Sequence, residues 1–150
     1  MKRSYIRRKT PLKSHRKRPK SKPGASKLPQ PKIWSLKRAD AEFSRFIRDR
    51  DGKCKRCGTT KNLTCSHFWA RQHKGTRYDP KNCLAVCWMP CHKYHWEKEK
   101  QGDYRDFMLK WLGEEEYKTL EARARRTYPQ VQAIMDCMKL LGKDTLLSGK

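Results

Sequence analysis

The chain has 150 residues, is 35% hydrophobic and 35% charged, and carries a formal net charge of +23. So modest a core supports one small domain with tails and favours a metal or covalent staple. The charge points to a polyanionic partner, and no stretch is apolar enough to span or anchor in a membrane, which sets the lipid surface aside.

Residues 1–32 contain 13 Lys and Arg and no Asp or Glu. Pro11, Pro19, Pro23, Pro29 and Pro31 prevent long regular structure there. This stretch reads as a disordered basic arm that binds phosphates through counterion release. No hydrophobic run follows the basic residues, so it is not a secretory signal. Seven cysteines is an odd number, and their spacing suits metal rather than disulfides, which implies a reducing cytoplasm.

Residues 34–50 have the period of an amphipathic helix, with Leu36, Ala39, Phe43, Phe46, Ile47 and Arg50 at three- and four-residue steps. Its Phe43/Phe46/Ile47 face is expected to pack on the cysteine-rich module. Asp51-Gly52 ends it and turns the chain into a cysteine knuckle, Cys54 to Gly58. Leu63 to Trp69 reads as a short strand carrying His67. Arg71 to Arg77 is a basic loop, and Arg71, Lys74 and Arg77 are its candidate contacts to a DNA backbone. Tyr78-Asp79-Pro80 turns the chain into Asn82 and a second strand, Cys83 to Cys87. A helix should start at Pro90 to His92, since proline suits a first turn, and run to about Lys100, stopping at Gly102.

Further helices are expected over Asp103 to Leu112, from Glu114 to before Pro129, and over Val131 to Leu141. Tyr104, Phe107, Met108 and Trp111 form an aromatic and apolar stripe that reads as core. Glu114, Glu115 and Glu116 complement a helix N-terminus. Cys137 reads as a small buried hydrophobe, and the chain after Gly142 as a frayed tail.

The stretch from Cys54 to His95 holds six of the cysteines and four of the five histidines. Cys54-x2-Cys57 and Cys87-x3-Cys91 are short pairs of the kind that bring two thiolates to one Zn2+ ion. The residues alone leave the ligand set open. Cys83-x3-Cys87 is an equally short pair, and Cys65 is a further candidate.

The order Cys54-x2-Cys57, Ser66-His67, Tyr78-Asp79-Pro80-Lys81-Asn82, Cys87-x3-Cys91-His92 resembles the zinc-bound HNH, or ββα-metal, endonucleases. Within them it is most similar to the phage NinG, or Rap, recombination endonucleases, with which it shares the phrase Phe46-Ile47-Arg48-Asp49-Arg50-Asp51. The likeness covers residues 33–128 and leaves the arm and the segment 129–150 outside. It implies an α+β fold, a small zinc-stapled ββα-metal core with flanking helices. It implies structural Zn2+ on Cys54, Cys57, Cys87 and Cys91, with Asn82 in register five residues before Cys87. It implies His67 as general base, Asn82 as the brace of its loop, and His92 as ligand of a catalytic Mg2+ or Mn2+. The second pair is one residue longer than the family's usual C-x2-C, which leaves His95 as the alternative ligand. Ser66 stands where many members have a metal-binding Asp or His.

The implied activity is hydrolysis of DNA phosphodiesters, on branched or joint DNA in phage recombination, in the host cytoplasm. A homodimer would suit an enzyme that cuts both strands of a junction. A neutral imidazole with its ordinary pKa of about 6.5 can take a proton from water, and a divalent ion can neutralise charge on the phosphate. Two rival readings use the same residues: a non-catalytic zinc-knuckle nucleic-acid binder, and an interaction protein that captures its partner through the basic arm.

Overall fold

A computed structural model describes residues 32–99 and 101–143, with the side chains of 95, 97–99 and 101 left aside. The expected basic arm and C-terminal tail lie outside the described residues.

The described chain is α+β. Helix α1 (Leu36–Asp51) leads into a hairpin of β1 (Leu63–His67) and β2 (Cys83–Cys87). A wide π-type helix (Trp88–Glu99) follows, then α2 (Gln101–Leu112), α3 (Glu114–Arg125) and α4 (Gln130–Leu140). The strands are antiparallel, with Leu63 opposite Cys87 at one end and His67 opposite Cys83 at the other.

Helix α1 begins where the Ser35 hydroxyl accepts from the Arg38 N–H and ends at Gly52, whose φ of 63° suits a residue without a Cβ. Its buried positions are Ala39, Phe43, Ile47 and Asp51, a strict four-residue step. Asp51 closes that stripe with charge. Its carboxylate accepts the Ala85 N–H at 2.7 Å and the Arg50 guanidinium at 2.8 and 2.9 Å, which ties the helix end to β2. Arg50 also donates to the carbonyls of Pro80 and Cys83, both at 2.8 Å.

All five residues of β2 are buried, so the hairpin is covered on both faces. Cys65, Cys83 and Ala85 pack with Phe43 and Ile47 of α1 and with Ala133, Ile134, Cys137 and Met138 of α4. Leu84 and Val86 pack with Trp96, Tyr104, Met108, Tyr117 and Leu120. Each fully buried side chain of this size contributes roughly 1.5–3 kcal/mol of transfer free energy. Helix α4 is thus part of the core that α1 lays over the hairpin.

Two boundaries differ from expectation. Strand β1 ends at His67; the Phe68 N–H still donates across to Asn82 O at 2.9 Å, and the Trp69 N–H, pointing the other way, goes to the Asn82 side chain at 2.8 Å. The helix after β2 winds from Pro90, as expected, because Met89 is extended (φ −128°, ψ 134°), the conformation a following proline favours. Gly102 does not end that helix; it lies in the first turn of α2. A helical glycine costs about 1 kcal/mol, less than the burial of Tyr104 and Met108 returns. In α2, Trp111 is 38% exposed and sits against the Arg50 guanidinium, so the core stripe is Tyr104, Phe107 and Met108.

Candidate active site and cysteine cluster

The hairpin has a sulfur end and a histidine end. At the sulfur end, the Cys54 N–H donates to Thr59 O at 2.8 Å and the Gly58 N–H to Cys54 O at 2.9 Å, folding the knuckle. The Lys55 N–H donates to Ala85 O at 2.9 Å and pins the knuckle against β2. Cys87 closes the strand and Cys91 follows on the first turn of the π-type helix. The sulfurs of Cys54, Cys57, Cys87 and Cys91 all lie within 4.8 Å of one another. Cys57 and Cys87 are 3.7 Å apart, close to the ~3.8 Å edge of a tetrahedron with ~2.3 Å metal–sulfur bonds. The four cysteines can therefore hold a metal ion such as zinc.

The electrostatics match that use. Burial opposes ionisation of Cys54, but N–H groups of Cys57, Cys87 and Arg56 outweigh it and lower the thiol to about 7. Burial and the neighbouring thiols push Cys91 upward. Four adjacent thiolates need a cation between them.

Cys83 and Cys65 do not join this group. Four steps of extended strand separate Cys83 from Cys87, about 13 Å at ~3.3 Å per step. A C-x3-C spacing converges on one ion in a turn or helix, not along a strand.

At the histidine end, His67 closes β1. Its Nε2 lies 3.1 Å from Arg77 O, and as donor there it leaves the lone pair on Nδ1. Burial, then the Arg71 and Arg77 guanidiniums, lower its pKa to about 4. Asn82 is fully buried one position before β2. Its side chain donates to Trp69 O and Thr76 O, both at 2.9 Å, and accepts from the Trp69 N–H. It thus spans the loop that leaves His67.

His67 and His92 line the same cavity of about 380 Å3, together with Arg71 and Trp88. The ring of His92 stacks on Trp88 at 5.3 Å. A larger adjoining cavity, about 750 Å3, adds His73, Arg105 and Glu121 to the two histidines. Arg105 and Glu121 carry no motif, and only the packing of α2 and α3 brings them here. His95 lies on the π-type helix with its side chain outside the described residues.

The basic loop is less free than its composition suggests. Arg77 is not a surface cation. It pairs with Asp40 of α1 at 2.6 and 2.9 Å and donates to Arg71 O at 3.0 Å. His73 Nδ1 lies 3.0 Å from Ala124 O, and Arg123 pairs with Asp79 at 2.8 Å. A Cβ on Gly75 would meet Arg123 O at 2.7 Å, so this approach to α3 requires glycine. Arg71 and Lys74 remain exposed. No helix among the described residues is long and apolar enough to cross a membrane.

No protein-family model, curated protein or solved structure matches the chain.

Proposed function

We propose that the protein is a metal-dependent endonuclease of the HNH type, stapled by structural Zn2+ on Cys54, Cys57, Cys87 and Cys91. The observation that carries the reading is the pair His67 and His92 on one cavity wall, on the hairpin and helix that the four cysteines join. The +23 charge supports a DNA substrate, with the exposed Arg71, at the cavity rim, and Lys74, elsewhere on the same loop, as phosphate contacts. Branched or joint DNA and a role in phage recombination follow from the family likeness alone.

His67 acts as the base. With Nε2–H held by Arg77 O, Nδ1 takes a proton from the attacking water, whose oxygen bonds to phosphorus as the scissile P–O bond breaks. Its lowered pKa keeps it unprotonated at pH 7, and an anionic phosphate alongside strengthens it as an acceptor. Asn82 fixes the loop so that the imidazole holds its direction. His92 would hold a divalent ion, Mg2+ or Mn2+, whose other positions suit water and phosphate oxygens, with the Glu121 carboxylate on the adjoining wall. When bound, such an ion neutralises charge on the phosphate and the leaving oxygen.

Cleavage of supercoiled plasmid and of a four-way junction, with Mg2+, Mn2+ or EDTA, tests the reading. Metal-dependent nicking supports it; DNA binding without nicking under any metal leaves a zinc-stapled binder in its place.

A further inference from the structure

A second group of soft donors lies at the histidine end of the hairpin. The ligand atoms of Cys65, His67 and Cys83 all lie within 4.8 Å of one another. The register explains why. His67 faces Cys83 across the ladder, and Cys65 stands two residues before His67 on the same strand, so all three project from one face. The two thiols are close neighbours.

The spacing is close to that of a metal tetrahedron, whose edges are about 3.5–3.8 Å for sulfur and nitrogen ligands. Closing to that distance needs at most about 1.3 Å. His67 is also set as ligating histidines usually are, with one ring nitrogen anchored on a backbone carbonyl, here Arg77 O, and the other left to bind. Cys65 and His67 line the cavity of about 380 Å3, which gives an ion a way in and leaves room for a fourth ligand.

We propose that Cys65, His67 and Cys83 form a second metal site, specific for a thiophilic ion such as Zn2+, with three protein ligands and an open fourth position facing the cavity. Two thiolates and an imidazole select against Mg2+ and Mn2+, so this is not the site of the divalent ion assigned to His92. An ion here takes the Nδ1 lone pair, so the filled site and the base are mutually exclusive uses of His67. The inference itself stands on the three side chains and not on nuclease activity, and its readout is metal content.

The full chain is reconstituted anaerobically with zinc and passed over a weak chelating resin, and zinc per chain is measured by mass spectrometry. The wild type should retain two ions and Cys65→Ser/Cys83→Ser one, with the far-ultraviolet circular dichroism unchanged. One ion in the wild type, or two in the folded variant, overturns the proposal. If the variant does not fold, cadmium-113 NMR of the wild type decides. A four-sulfur resonance plus a second from a mixed sulfur–nitrogen environment supports the site, and a four-sulfur resonance alone overturns it.

Discussion

The two ends of the β1–β2 hairpin use the same residue types for different ends. At the sulfur end, four cysteines come from a knuckle, a strand end and a helix start, so a metal ion among them would join those pieces. At the histidine end, Cys65, His67 and Cys83 sit on strands that the hairpin ladder already holds, with Cys65 and Cys83 packed in the core against α1 and α4. The sulfur end can therefore tie three separate pieces together through one metal ion, whereas the histidine end lies on strands that the ladder itself holds. The contrast is sharpest in the backbone. The knuckle has one direct backbone bond to β2, Lys55 N–H to Ala85 O, while the loop at the histidine end is clamped by Asn82, Arg77–Asp40 and Arg123–Asp79.

The largest expected difference between the ends is in response to metal loss. Cys54→Ser or Cys87→Ser, or a strong zinc chelator, should abolish cooperative thermal unfolding, since zinc binding in small domains is worth about 10–16 kcal/mol of folding free energy. Cys65→Ser should leave that transition in place. Survival of the Cys87→Ser fold with an unchanged melt would erase the distinction.

Next in size are the clamps. Asn82→Ala leaves the Trp69 N–H and two buried carbonyls without their partner, and should cost about 3 kcal/mol in urea denaturation. Asp51→Ala strips the Ala85 N–H of its acceptor and should cost about 2 kcal/mol. A loss under half of either value would mean that the loop and helix end are held by packing alone.

A smaller effect concerns pH. Because burial lowers His67 to about 4, its protonation sets in as pH falls toward 4 and not at 6.5. The acid limb of kcat/KM should accordingly lie well below pH 6.5. A limb centred at 6.5 would mean that the imidazole is solvated in the working enzyme. Smallest of all, the exposed pair Arg45–Glu42 should matter by less than about 0.5 kcal/mol when Glu42 becomes Ala.

Much of this was legible because its signals are local. The limits of β2, Cys83–Cys87, are readable since the segment is apolar throughout and starts after an Asp-Pro turn. Helix α1 is readable from its period and from Gly52. The cysteine pairs are readable because each pair converges within one turn. What was hidden depends on contacts distant in sequence. Arg77 looked like a free cation because Asp40, its partner, is 37 residues away. The meeting of Cys65 with Cys83 needs the strand register, which no local pattern contains. His73 and Gly75 looked like parts of an open loop until α3 came to rest on them.

The most direct test of the central claim is nicking of supercoiled plasmid by wild type and His67→Ala, each matched for zinc on the four cysteines and for thermal stability. The account predicts nicking by the wild type with Mg2+ or Mn2+, none with EDTA, and none by His67→Ala under any metal. Equal nicking by both proteins, or none by either while both bind DNA, would contradict it.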